Sequence, residues 1–140
     1  MSRQIFVNLP IKDMARSKAF FTALGFEFNP EFTNDQGACL VLSKDHNYVM
    51  LLVEDFFKTF IDKPIVDAKK STEVLVCISC SSRAEVDELV VKARAAGAAV
   101  PRQPQDYGFM YSHGFEDLDG HIWELAFMDP SATPAAPSQA

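Results

Sequence analysis

The chain has one tryptophan and six glycines in 140 residues. So few glycines exclude a collagen-like or glycine-rich chain. Cysteine is scarce too, with Cys39, Cys77 and Cys80 making an odd number, so the chain carries no complete disulfide framework and suits a reducing compartment. Basic residues are outnumbered, 13 Lys and Arg against 19 Asp and Glu, for a net charge of -6. That balance speaks against a nucleic-acid partner, because phosphate recognition needs clustered Lys and Arg. The Lys69-Lys70 pair is too small to alter it. No apolar run approaches the roughly 20 residues of a membrane span. The opening MSRQIFVNL lacks the apolar core of a signal peptide, so a cytoplasmic location is expected. What the chain does have is 48% hydrophobic residues, twelve of them phenylalanine, and 23% charged residues. This is material for one domain, or for two small modules sharing a core.

Residues 4–11, QIFVNLPI, read as a strand ending near Pro10. Asp13 is placed as the N-cap of a helix over Met14 to Leu24, with Gly25 at its C′ position and Phe20, Phe21 and Leu24 on its apolar face. FEFNPEF is a short strand and a turn, followed by strands at 38–43 and 48–55 around a turn at 44–47. The second half repeats the order. Residues 73–80 read as a strand, and Ser82 with Glu85 forms a capping box. The next helix carries Val86, Leu89, Val90 and Ala93 on one face and stops at Gly97. A short strand at 98–102 follows, then a turn from Pro104 to Gly108. Strands near 109–116 and at 121–128 flank the turn Asp117-Leu-Asp-Gly120.

The expected fold class is therefore α+β, with two βαβββ modules at residues 3–55 and 73–129. A linker at 56–72 carries a short amphipathic helix with Phe56, Phe57, Phe60 and Ile61 inward. Residues 130–140, rich in Pro, Ala and Ser, are expected to be a flexible tail. In a single βαβββ unit the helix covers one face of the sheet and leaves the other bare. Two units side by side can curl their sheets around a shared hollow, the kind of concave place that ligands favour.

Two stretches carry a family likeness: FVNLPIKDMARSKAFFTALGF at the start and FEDLDGHIWEL near the end. Over about residues 3–129 the chain resembles the vicinal oxygen chelate superfamily, which includes glyoxalase I, fosfomycin- and bleomycin-resistance proteins and extradiol dioxygenases. The wording STEVLV and PQDYGFMY is similar to a bacterial branch labelled predicted lactoylglutathione lyase. The resemblance implies a cup-like mixed sheet with helices outside, a small-molecule ligand and a homodimer. It also implies metal ligands on the first and last strand of each module, at positions that fall here on Phe6, Met50, Leu75 and Glu124.

Only Glu124 is a ligand type, and three protein ligands is the usual minimum for a catalytic metal. Met50 suits hard divalent ions poorly, and Phe and Leu cannot ligate. A two-residue slip would bring in Asn8, Leu52, Cys77 or Glu73 beside Glu124, so a non-standard site for Ni, Zn, Mn or Fe stays open against no metal at all. Glu124 shares a strand face with Ile122, Ala126 and Met128, while Trp123, Leu125 and Phe127 make the better core face. Glu124 is accordingly a candidate general base or substrate anchor; its plain alternative is a carboxylate paired with a cation or an amide. Phe6, Asn8, Met50, Leu75, Tyr111 and His113 are candidate binding residues. Tyr111 and His113 are expected to share a cup-lining face with Phe109. Tyr107 and Gly108 fall in a loop over the mouth, and Arg102 or Arg16 is placed to meet an anion. Cys77 and Cys80 have the spacing of a redox or zinc motif, but lie in a strand-like stretch where small buried hydrophobes are the alternative.

Two functions follow. One is a lyase- or isomerase-type enzyme on a small oxygenated molecule, similar to glyoxalases or dioxygenases, with Glu124 as base. The other is a metal-free protein that binds or sequesters an antibiotic-like molecule.

Overall fold

A computed structural model describes residues 3–132 of the chain. It divides into two compact units. The first comprises residues up to Glu73 together with Leu118–His121, and the second comprises Val74–Asp117 and the residues from Ile122 onward. The expected linker thus belongs to the first unit, and so does the turn leading to Gly120, which was expected in the second module.

The first unit runs β1 (Ile5–Ile11), α1 (Met14–Ala23), β2 (Glu27–Asn29), β3 (Gly37–Ser43), β4 (Asn47–Val53) and the short α2 (Glu54–Phe57). Its sheet has the order β1-β4-β3-β2, with β1 parallel to β4 and the other neighbours antiparallel. Pro10 is tolerated in β1 because that strand is an edge. Asp13 caps α1 by accepting the Arg16 amide at 3.0 Å. Gly25, at φ 100°, ends the helix in the left-handed conformation that glycine adopts without a Cβ penalty. Alternation then sorts the strands. Leu9, Ile11, Val49 and Leu51 are buried with Phe20 and Phe21 of α1. The alternate residues, Phe6, Asn8, Tyr48 and Met50, lie on the other, open face.

The second unit repeats the plan with β5 (Leu75–Ser79), α3 (Arg83–Ala95), β6 (Gln105–Asp106), β7 (Met110–Glu116) and β8 (Ile122–Met128). The sheet order is β5-β8-β7-β6, again with one parallel pair, β5 with β8. Both units are thus α+β with a four-stranded mixed sheet. Ser82 caps α3 by accepting the Glu85 amide at 3.0 Å. The Glu85 carboxylate reaches back, to the amide and hydroxyl of Ser81 rather than to the amide of the cap residue. Val86, Val90 and Ala93 of α3 are buried, as are Trp123 and Leu125 of β8. Side chains of this kind each stabilise the fold by about 1.5–3 kcal/mol on burial. Trp123, with no exposed surface, donates its indole N–H to Asp117 at 3.0 Å and stacks on Phe115.

Three expectations need correction. The strand at 98–102 shrinks to a single bridge between Ala99 and Glu116, because Pro101 and Pro104 have no N–H to give a ladder. The ladder resumes only at β6, inside the stretch expected as a turn. Phe60 points outward at 67% exposure, since α2 is one turn long and a 3-10 turn over 58–60 breaks its 3.6-residue period. At the start of the expected tail, 130–140, a turn is held by Asp129, whose carboxylate accepts from the Ser131 amide and hydroxyl. The remainder of the tail, 133–140, lies outside the described residues.

Candidate functional site

The open face of the second sheet carries the chemistry. On β8 it shows Ile122, Glu124 and Ala126, and the register fixes their neighbours. Across the parallel β5–β8 ladder Leu75 meets Ile122, Cys77 meets Glu124 and Ser79 meets Ala126. On the antiparallel side Glu116 meets Ile122, Gly114 meets Glu124 and Ser112 meets Ala126. Glu124 is thus flanked by a thiol on one side and by a residue without a side chain on the other. Gly114 has to be glycine, because a Cβ there would come within 2.6 Å of the Trp123 carbonyl oxygen.

These residues line a cavity of about 270 Å³. Its floor includes Cys77, Glu124, Glu116 and Ile122, and its wall includes Gln105, Tyr107 and Met110. Arg102 also borders it. Among the described residues neither the Glu124 nor the Glu116 carboxylate has a hydrogen bond or an ion pair. Burial, then the Glu124 charge, raises the Cys77 pKa. Burial, Glu85 and Cys77 together push the Cys80 thiol to about 11. Both groups therefore stand as neutral thiols near pH 7 and are poor nucleophiles there. Cys77 is exposed on this face, not a buried hydrophobe, because its strand parity is that of Glu124.

The sequence-derived candidates separate into three groups. Leu75 and Glu124 lie on the open face of the second unit. Phe6, Asn8 and Met50 lie on the open face of the first, where Phe6 stacks on Tyr48 at 4.8 Å and Asn8 pairs with Met50. The Asn8 amide donates to its own strand, to the Phe6 carbonyl at 3.1 Å. The first-strand neighbours of Met50 and Glu124 are thus Asn8 and Cys77, one pleat along from Phe6 and Leu75. Tyr111 and His113 do share a strand face, but it is the face toward α3. They pair with Phe127 and Leu125, and Tyr111 donates its hydroxyl to Asp87 of α3 at 2.7 Å. Gly114 opposite Glu124 fixes that parity; His113 nevertheless borders the cavity beside Arg102, whereas Tyr111 does not. His113 bonds the Arg102 carbonyl oxygen at 3.1 Å. Arg16 is not poised for an anion; it lies 3.6 Å from Asp119. Glu116, Gln105, Ser112 and Met110 were missed. Counting by twos in both directions from Gly114 would have found Ser112, Met110 and Glu116.

These residues do not fit a divalent metal. Cys77, Glu116, Glu124 and His113 all border the cavity without converging on one point, and Phe6, Met50 and Leu75 add no donor. Among the described residues no group of three or more His, Cys, Asp or Glu comes together as a metal site.

In the first unit the turn before β8 is held by Asp119. It accepts from the Lys12 amide at 3.0 Å and from the Ser17 hydroxyl at 3.4 Å. His121 bonds the Pro10 carbonyl oxygen at 2.6 Å. At Gly120, φ 93°, a Cβ would collide with the Lys69 backbone at 2.7 Å. No helix among the described residues is long and apolar enough to cross a membrane.

A family model described as bleomycin resistance protein-like N-terminal matches residues 3–43. The hypothetical protein SA1046 from S. aureus is 27% identical, with 91% of this chain and 95% of that one covered, at a TM-score of 0.75. A glyoxalase-related enzyme from Fulvimarina pelagi is 20% identical over 97% of this chain and 100% of that one, TM-score 0.76. The fosfomycin resistance protein FosX from Listeria monocytogenes is 20% identical over 91% and 93%, TM-score 0.65. No curated protein matches the sequence. Residues 3–43 thus resemble the N-terminal part of bleomycin resistance proteins, and the α+β fold is that of the glyoxalase/bleomycin resistance proteins among the solved structures.

Proposed function

We propose that the protein binds, without a metal, a small molecule with a cationic end and an apolar body in the open-face cavity of the second unit, and sequesters it. The observation that carries this reading is the pair of carboxylates, Glu124 and Glu116, facing one cavity with no cation bonded to either. Among the described residues Arg102 is the only Lys or Arg bordering the cavity, which leaves a formal charge of -1 from these side chains. Ile122, Met110 and Tyr107 supply apolar and aromatic contact, and a cation over an aromatic face gains further electrostatic attraction. The volume suits a small ligand. The names of relatives, bleomycin resistance for the family model and fosfomycin resistance for a fold neighbour, support an antibiotic-like ligand.

A second reading is a metal-free lyase or isomerase with Glu124 as general base. It is favoured by the same feature, an uncommitted carboxylate facing a cavity where a substrate proton would lie within reach. The lactoylglutathione lyase and dioxygenase versions rest on a metal that this donor set does not fit. A cytoplasmic homodimer completes the proposal. It is supported by Phe6 at 47% and Leu75 at 54% exposure, apolar surface that a second chain would cover.

The test is turnover of the glutathione hemithioacetal of methylglyoxal, with and without added nickel or zinc, alongside thermal shift with amine-bearing antibiotics. The proposal expects no turnover under either condition and a rise in melting temperature with a cationic compound. Metal-dependent turnover at a catalytic rate would replace it with the lyase.

A further inference from the structure

We infer that Arg83, the first residue of α3, is a positioning residue that clasps β6 and its turn in place as one wall of the cavity. This rests on the cavity being the ligand site.

Arg83 is oddly placed for a helix. A cation in the first turn opposes the helix dipole, which favours negative charge there. Its contacts supply a reason. The guanidinium pairs with Asp106 at 2.8 Å, donates to the Gly108 carbonyl oxygen at 3.2 Å and lies 5.2 Å from the centre of the Tyr111 ring. Tyr111 is itself fastened to α3 through Asp87. Asp106 also accepts the Gly108 amide at 2.9 Å, so one carboxylate ties the turn to itself and to the helix.

The wall needs this support. β6 has two residues and two ladder positions, Gln105 with Ser112 and Asp106 with Tyr111. Beyond it the chain carries Pro104 on one side and Gly108, at φ 83°, on the other. Alternation divides the labour. Asp106 faces α3 with Tyr111, while its neighbours Gln105 and Tyr107 line the cavity. Gripping Asp106 therefore sets where Gln105 and Tyr107 stand relative to Glu124. The ion pair is largely exposed, with 38% and 57% of the two side chains accessible. Such pairs add little to global stability. Its effect is local, on a segment with few other contacts.

The experiment uses the full chain with Arg83→Gln, Asp106→Asn, the double variant and Arg83→Lys. Asp106→Asn removes the charge but keeps an oxygen to accept the Gly108 amide. Amide hydrogen exchange over 105–108 reads the clasp, and NMR titration with benzyltrimethylammonium reads the cavity. Exchange is expected to quicken about fivefold in either single variant, with the urea midpoint close to wild type. Probe affinity falls by a similar factor, Arg83→Lys recovers part of it, and the double variant loses no more than one single. A merely structural role would move the midpoint along with affinity. Unchanged exchange at 105–108 in both single variants overturns the inference. If wild type does not bind the probe, the ligand reading falls while the exchange result still decides for or against the clasp.

Discussion

Cys77 and Glu124 stand directly opposite each other on adjacent parallel strands, on the face that lines the cavity. The carboxylate charge adds to burial in holding the Cys77 thiol protonated. In a Cys39→Ser/Cys80→Ser background, thiolate absorbance at 240 nm should titrate above the free-cysteine value of about 8.5. Glu124→Gln should bring that titration down and quicken alkylation at pH 8. No change on that substitution would place the Glu124 carboxylate away from the thiol and out of the cavity floor.

Gly114 sets the space beside Glu124. A methyl group there would meet backbone, the Trp123 oxygen at 2.6 Å and the Glu124 Cα at 3.5 Å. Neither can yield as a flexible side chain would. Gly114→Ala should cost about 1–3 kcal/mol in urea denaturation followed by Trp123 fluorescence. A wild-type midpoint would mean that β7 and β8 do not approach as closely as described.

Asp119 is 9% exposed and holds the turn before β8. Its removal strands the Lys12 amide and the Ser17 hydroxyl, so Asp119→Ala should cost about 2–4 kcal/mol by the same assay. Arg16→Ala, which deletes only a half-exposed partner 3.6 Å away, should cost under about 1 kcal/mol. Equal losses for the two would show that the ion pair, not the backbone anchor, does the holding.

The Asp106 carboxylate is held below the usual range, first by the Gly108 amide and then by Arg83. A depressed folded pKa contributes stability above the unfolded value of about 3.9, lost as pH falls through the lower folded value. Exchange protection at 105–108, corrected for intrinsic rates, should therefore persist at pH 5 and fade only below about pH 4. Loss of protection between pH 7 and 5 would assign the clasp to a different group.

Much of the fold was legible because local signals agreed with it. Asp13 and Ser82 opened the helices, Gly25 and Gly97 closed them, and alternation in β8 put Trp123 inside and Glu124 out. The site was less legible, because parity propagates across a sheet only once the register is known. Nothing in the stretch around Tyr111 and His113 says which face they take; that follows from Gly114 pairing with Glu124. The same pairing brings Glu116 into the cavity, although in sequence it reads as one more acid before a turn. The two-residue β6 was hidden by its prolines, and with it the clasp between Arg83 and Asp106, which lie 23 residues apart.

The most direct test of a metal-free cation site is an NMR titration of the chelator-treated wild type and of Glu124→Gln with benzyltrimethylammonium. The account expects saturable shifts at Cys77, Gly114, Glu124 and Tyr107 in the wild type, with affinity about tenfold weaker in Glu124→Gln. Shifts that appear only after metal is added, or equal affinity in both proteins, would contradict it.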